Sequence, residues 1–172
     1  MAEEKEFVMS EARDVVAVIL EDHRTMEGLL RRMRSIEDDR RAALNDFAAL
    51  LIAHAEAEEA EVYPALKRFR NVDDEEVEHG EEEHHEGNEA LLALMEVGQV
   101  NSDEWDEKLE ELATAITHHI DEEERTILNG ARANVPDARR VELGAAFLRD
   151  REKHLKADCG NIDNVRAVAQ AR

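Results

Sequence analysis

Several residue types are scarce in this chain of 172 residues, and each scarcity narrows the range of folds. A single cysteine, Cys159, excludes an intrachain disulfide and fits a reducing compartment. Only 7 glycines and 2 prolines interrupt long stretches rich in alanine, leucine, glutamate and arginine, and aromatic residues make up 3% of the chain. This composition favours helices and leaves little material for strands.

Positive charge is also scarce. The chain has 43 acidic and 22 basic residues, which gives a net charge of -21. Long-range repulsion therefore argues against nucleic acids and anionic membranes as partners. The segment "MAEEKEF" lacks the apolar core of a signal peptide, and apolar runs such as "VVAVIL" are too short to span a bilayer. We expect a cytoplasmic protein with no nucleic-acid or membrane partner.

Apolar residues recur at helical spacing in five segments, at about residues 10–34, 39–69, 74–98, 102–131 and 137–157. The first four, joined by short connections, predict an all-α, up-down-up-down four-helix bundle over residues 1–135. Residues 136–172 are predicted to form an additional C-terminal helix and a tail. This helix is expected to pack on or extend the bundle, or to bind a protein partner. The tail from Gly160 is predicted to be weakly anchored.

Polar side chains interrupt the apolar stripe of the fourth predicted helix. The stripe that contains Leu112, Ile116 and Ile127 also runs through His119 and Glu123. Two ionisable residues therefore occupy positions where a bundle places its core.

The same pattern occurs twice, so the chain reads as a repeat of helix pairs. "HRTMEGLLRRM", which begins at His23, resembles "HEGNEALLALM", which begins at His85. "HAEAEEAEVYPAL" from His54 and "HIDEEERTILNGA" from His119 share a histidine followed by glutamates at the fourth and fifth positions. Each half thus presents a lone histidine from one helix and a His-x-x-x-Glu pair from the next.

This spacing has a chemical reason. Residues four apart on a helix differ by about 40° in direction and about 6 Å in height, so His54 and Glu58 point into one layer, as do His119 and Glu123. Unpaired charges in that layer would cost several kcal/mol each, by order of magnitude, unless a cation compensates them. Imidazole and carboxylate ligands suit iron or manganese, and two carboxylates able to bridge suit a pair of ions.

The ordered set of His23, "HAEAEEAEVYP", His85 and "HIDEEE", spread over roughly Val15 to Arg132, resembles the hemerythrin-like proteins with the HHE cation-binding domain. The resemblance implies a non-haem centre of two iron ions, with an oxo or hydroxo bridge when oxidised. It also implies that dioxygen, hydrogen peroxide or nitric oxide binds or reacts at an open iron position, for sensing or detoxification. Consumption of peroxide or nitric oxide would make the protein an enzyme, and an iron-sensing or ferroxidase protein is the alternative. The implied metal ligands are His23, His54, Glu58, His85, His119 and Glu123.

The chain departs from the oxygen-carrying hemerythrins at one position. Those proteins have a further histidine one turn before the third ligand, and Glu81 stands at that position relative to His85. The missing nitrogen ligand argues against a dedicated reversible carrier. Glu81, Glu82 and Tyr63 are the candidates for an additional contact with the metal.

Two pairs of adjacent histidines raise a question of register, because one residue turns a helix by about 100°. In the fourth helix, His119 lies on the apolar stripe and His118 on a polar row. In the third helix the apolar centre admits either His84 or His85, and only the repeat favours His85. His84 therefore stays open as the alternative ligand.

Overall fold

The computed structural model describes residues 13–171, which form six helices and no strand. Helix α1 spans Val15–Arg34. Helix α2 is α-helical over Arg40–Ala57, passes through a π-helical turn at Glu58–Val62 and finishes with Tyr63–Leu66. Helix α3 spans Asp74–Met95. Helix α4 spans Asp103–Glu123, followed by a π-helical turn at Glu124–Leu128 and the segment Asn129–Asn134. Helices α5 and α6 span Asp137–Lys156 and Ile162–Gln170.

Short polar side chains set the starts of the bundle helices. The Asp14 carboxylate accepts a hydrogen bond from the Val16 N–H at 2.8 Å, so α1 begins at Val15. The predicted start of this helix, at about residue 10, lies outside the described residues. Asp39 and Ser102 cap α2 and α4 in the same way. These caps satisfy backbone donors that a helix cannot pair internally.

Helices α1 to α4 form the predicted up-down-up-down bundle, and its core falls into two apolar clusters at opposite halves. One cluster contains Met26, Leu51, Leu91 and Ile116. The other uses the opposite ends of the same helices, for example Ile19. A layer of histidines and carboxylates lies between them along each helix. None of the described helices combines the length and apolar character that a membrane crossing requires.

Helix α5 lies along α1 and α2, as the sequence predicted for a helix that packs on the bundle. Phe147 is fully buried on its inner face. Gly144 allows the close approach, because a Cβ atom there would lie 1.9 Å from the carbonyl oxygen of Arg13. A protein partner on this helix stays a prediction, as does the domain boundary at residue 135.

The prediction of a weakly anchored tail was wrong. Helix α6 packs against α3, and Val165 is fully buried in the core. Cys159 is buried too, with its Sγ 3.3 Å from the carbonyl oxygen of Ala49. Gly160 lets this turn touch α2, since a Cβ there would lie 2.5 Å from the Ala49 nitrogen. Helix α6 has only nine residues, too few for its apolar periodicity to be recognised in the sequence.

Candidate metal centre

Six ionisable side chains from the four bundle helices meet in the layer between the two apolar clusters, and all six are buried. Helices α1 and α3 each contribute one histidine, and α2 and α4 each contribute a histidine and a glutamate four residues later. The members of this ligand cluster are His23, His54, Glu58, His84, His119 and Glu123. The structure therefore brings together five of the six residues proposed from the sequence.

The ligand cluster consists of two overlapping sets that share both carboxylates. One set consists of His23, His54, Glu58 and Glu123. The second set consists of His84, His119 and the same two glutamates. The His23 Nε2 lies 3.1 Å from one Glu123 oxygen, and the His119 Nε2 lies 3.6 Å from the other. The two oxygens of Glu58 likewise face His54 and His84, the latter at 3.4 Å. Each carboxylate thus spans both sets, which is the arrangement expected of bridging ligands.

The sequence assignment of His85 is corrected by this geometry. The His85 Nε2 lies 2.9 Å from the exposed carboxylate of Glu89, and His85 is outside the ligand cluster. His84 occupies the inward position, 5% exposed. The sequence comparison selected the wrong histidine because it aligned the apolar residues that follow His23 and His85. The acidic residue before the histidine gives the better alignment, since Asp22 precedes His23 as Glu83 precedes His84.

Each histidine of the cluster is held from behind by a carboxylate. The Nδ1 atoms face outward, and their partners are Glu124 for His23 (3.1 Å), Asp22 for His54 (2.9 Å), Glu59 for His84 (2.9 Å) and Glu83 for His119 (3.3 Å). A carboxylate at Nδ1 favours the tautomer whose Nε2 carries no proton, so the inward nitrogen is left free to bind a metal.

These four outer carboxylates were missed by the sequence reasoning, although a signal for them exists. Each is the immediate neighbour in sequence of a ligand, as Asp22 is of His23 and Glu59 is of Glu58. Each serves a histidine on a different helix from its own, as Asp22 does for His54. Only the packing of the helices reveals these crossed pairs.

Both carboxylate ligands stand where a helix changes to a π-helical turn. The turns at Glu58–Val62 and Glu124–Leu128 begin at or directly after Glu58 and Glu123. Single π-turns inside α-helices often occur at functional sites. In α2, Pro64 lacks the N–H that a regular helix would use, and the Tyr63 N–H donates to the carbonyl of Glu58. Helix α4 forms its π-helical turn at Glu124–Leu128 without a proline, so a proline is not required for such a turn.

Tyr63 is fully buried and reaches the ligand cluster. Its hydroxyl donates a hydrogen bond to Glu123 and lies 3.5 Å from the His84 Nε2, and its ring stacks on that of His84. Burial, together with the charges of Glu123 and Glu58, raises the pKa of Tyr63 well above its ordinary value, so the phenol keeps its proton. Of the three candidates for an additional contact, Tyr63 alone touches the ligand cluster; Glu81 and Glu82 line an outer cleft of about 760 Å³.

With His84 in the inward position, the residue one turn before it is Gly80. A Cβ atom at Gly80 would lie 3.1 Å from the Tyr63 hydroxyl oxygen. The tyrosine therefore fills the space beside this helix position. Position 80 therefore carries no side chain that could add a nitrogen donor, and the polar group beside it is the Tyr63 hydroxyl rather than Glu81.

Helix α5 completes the outer wall of the site. The Phe147 ring meets the His54 ring edge-on, with 5.4 Å between centroids. The Arg151 guanidinium donates to the Asp22 carboxylate, whose other oxygen faces His54. Helix α5 therefore orients His54 through Asp22.

Neighbouring charges and hydrogen bonds together outweigh burial in setting the pKa values of His54, His84 and Glu58. Burial alone would lower the pKa of His54, but the Glu58 charge and the Asp22 hydrogen bond raise it to about 10. Burial is likewise outweighed at His84, where contacts with Glu58 and Glu59 raise the pKa to about 10. The same pairing holds the pKa of Glu58 well below its usual range despite burial. The layer therefore binds positive charge strongly, whether as protons or as metal ions.

The orientation of the donor atoms fits a metal better than it fits protons. Six buried atoms of the cluster face one another without forming a hydrogen bond of regular geometry among the described residues: the Nε2 atoms of His23, His54 and His119, both oxygens of Glu58, and one of Glu123. Unsatisfied buried polar atoms cost about 1–3 kcal/mol each, so a set of six calls for a common partner. The residues present suit metal cations, with imidazole nitrogens and carboxylate oxygens as the donors.

Comparison with known proteins agrees with this interpretation of the fold. The chain is 23% identical over 136 residues to an uncharacterized hemerythrin-like protein of Schizosaccharomyces pombe, a match that covers 78% of this chain and 67% of the relative. Its fold is similar to the crystal structure of a hemerythrin HHE cation binding domain-containing protein from Mycobacterium kansasii. That match has a TM-score of 0.76 at 22% identity and covers 90% of this chain and 99% of the other. Residues 14–130 match the hemerythrin HHE cation binding domain, and the chain belongs to this family.

Proposed function

We propose that this protein is a non-haem di-iron protein that binds or reacts with a small ligand, namely dioxygen, hydrogen peroxide or nitric oxide, for sensing or detoxification. The observation that carries the proposal is the pair of overlapping ligand sets that share Glu58 and Glu123. A single ion would not need two carboxylates that each span both halves of the cluster.

The donor atoms favour iron. The ligand cluster offers imidazole nitrogens and carboxylate oxygens without a thiolate, a combination that suits iron and disfavours metals that prefer sulfur. Each ion would receive four donor atoms from the chain, so the octahedral coordination common for iron would leave open positions. When bound, iron supplies reducing electrons and an open coordination position for the small ligand.

The surrounding residues support a reaction in a protected site. Two apolar clusters flank the layer and exclude bulk water. Tyr63 holds a proton within hydrogen-bond reach of Glu123, one of the two shared carboxylates. The absence of a nitrogen donor at Gly80 leaves the set of neutral ligands smaller than that of an oxygen carrier, in favour of sensing or turnover over transport.

The test is to load the protein anaerobically with ferrous iron, count the bound iron per chain, and then add dioxygen, peroxide or nitric oxide while recording the visible spectrum. We expect about two irons per chain and a spectrum that changes on addition of the ligand. Recovery of the starting spectrum under vacuum would indicate reversible binding and sensing. Continuous loss of peroxide would indicate detoxification, and release of oxidised iron would support iron handling instead. Less than one iron per chain would overturn the di-iron proposal.

A further inference from the structure

A second group of potential metal ligands lies on the surface next to the ligand cluster. His79 and Glu83 are four residues apart on α3, and His118 approaches them from α4. One ligand atom from each of the three lies within 4.8 Å of the other two. The His118 Nε2 is 3.1 Å and the His79 Nε2 3.8 Å from the same oxygen of Glu83, Oε2.

The Glu83 Oε2 is a buried acceptor whose neighbours in this group are histidine ring nitrogens. Glu83 is 6% exposed, and its Oε2 has no hydrogen-bond partner among the described residues. This oxygen points between two histidines whose side chains are 53% and 62% exposed. A buried carboxylate oxygen in such a position is costly unless it is compensated. A cation held between this oxygen and the two imidazoles would compensate it.

We propose that His79, Glu83 and His118 form a surface site for a divalent first-row transition-metal ion, separate from the buried ligand cluster. Two imidazoles and one carboxylate are a known ligand set for zinc, and bonds of about 2.0–2.2 Å place such ligands at the spacing that these three side chains have. Three protein ligands leave the remaining positions to water, as expected of an exchangeable ion. The exposed Glu82 carboxylate lies 3.9 Å from the His79 Nδ1, which is beyond hydrogen-bond distance.

Glu83 also contacts a histidine of the buried ligand cluster. The Oε1 of Glu83 lies 3.3 Å from the Nδ1 of His119, while Oε2 belongs to the surface site. One carboxylate thus connects the surface ion with a histidine of the ligand cluster. A substitution of Glu83 would disturb both sites, so the exposed histidines are the residues to change.

Zinc is the probe for the test, with the iron-loaded full chain dialysed against Zn²⁺ and both metals counted in each sample. We expect one additional metal ion per chain, lost or bound at least about 10-fold more weakly in His79→Ala and in His118→Ala. His85→Ala is the matched control, because His85 and Glu89 form the same i,i+4 pair on α3 without a third ligand in the described chain. It should keep the additional ion.

Two results would overturn the proposal: no additional ion in the unaltered protein, or an additional ion that persists in both His79→Ala and His118→Ala. The test compares the number of additional metal ions in the unaltered protein and in variants that keep the same buried ligand cluster. It is therefore independent of how many irons that ligand cluster holds, and failure of the di-iron proposal would be seen separately in the iron count.

Discussion

Replacement of His84 by alanine should remove one of the two irons, whereas replacement of its neighbour His85 should leave both in place. The His84 side chain is 3% exposed, and its Nε2 lies 3.4 Å from Glu58. The His85 side chain is 15% exposed and meets only Glu89 at the surface in its ion pair. Adjacent residues of one helix thus serve as the test position and its control.

The expected loss of iron in His84→Ala follows from the number of donor atoms that bind each ion. His84→Ala removes one of four protein donors from one ion of the pair and leaves the other ion's set of His23, His54, Glu58 and Glu123 complete. Loss of an outer partner of a metal ligand already lowers affinity about 10–100-fold, so loss of the ligand should exceed about 100-fold. Iron content should then fall from about two per chain to about one. His85→Ala alters a partly exposed side chain, and its stability should stay within about 0.5 kcal/mol of the unaltered protein.

The assay is elemental analysis of both variants after anaerobic loading and removal of loosely held iron. Circular dichroism checks that each variant keeps its helical content, since His84→Ala also leaves a small cavity. A return of the second iron in His84→Ala on addition of free imidazole would show that the side chain acts as a donor. Equal iron content in the two variants, or greater loss in His85→Ala, would refute the placement of His84 on the inward face of α3.

Three further outcomes are expected. Tyr63→Phe removes a donor to a shared carboxylate while keeping the ring, so iron affinity measured against a competing chelator should fall about 10-fold; unchanged affinity would contradict this role. Gly160→Ala forces its Cβ into the backbone of α2 and should cost about 1–3 kcal/mol in thermal unfolding, whereas Gly98→Ala, with open space around it, should not. In chelator-treated protein, the pKa values of His54 and His84 are raised from 6.5 to about 10. Protonation of these histidines should therefore stabilise the fold fully below pH 6.5, and this stabilisation should decline as the pH rises towards 10. Urea unfolding at pH 6 and pH 9 measures the difference, and equal free energies of unfolding at the two pH values would refute the prediction.

The bundle and most of the site could be predicted because their signals are local. A histidine followed four residues later by a glutamate lies on one helical face in any bundle, so His54 with Glu58 and His119 with Glu123 follow from spacing alone. The same spacing is misleading in α1 and α3, because Glu27 follows His23 and Glu89 follows His85 by four residues and neither glutamate belongs to the ligand cluster. His84 and His85 differ only in how α3 is rotated about its axis, and that rotation is set by packing against α2 and α4.

The outer features of the site depend on contacts between distant parts of the chain. The pairing of Asp22 with His54 joins residues 32 positions apart, and that of Arg151 with Asp22 joins residues 129 apart. No periodicity in the sequence encodes such pairs. The same holds for α6, whose docking depends on a close approach at Gly160, a residue that in the sequence alone indicates only a helix end.

The crossed arrangement of ligands and outer carboxylates links assembly of the bundle to its chemistry. Every histidine of the ligand cluster is oriented by a carboxylate from another helix, so no helix can form its part of the site alone. A cation that binds the inward atoms therefore binds the assembled bundle in preference to the unfolded chain. Because a ligand specific for the folded state stabilises it by about 2.7 kcal/mol at 100 times its Kd, metal binding and packing reinforce each other. The cost of placing four imidazoles and two carboxylates between apolar layers is thus offset when the metal binds, and the same metal confers the proposed reactivity.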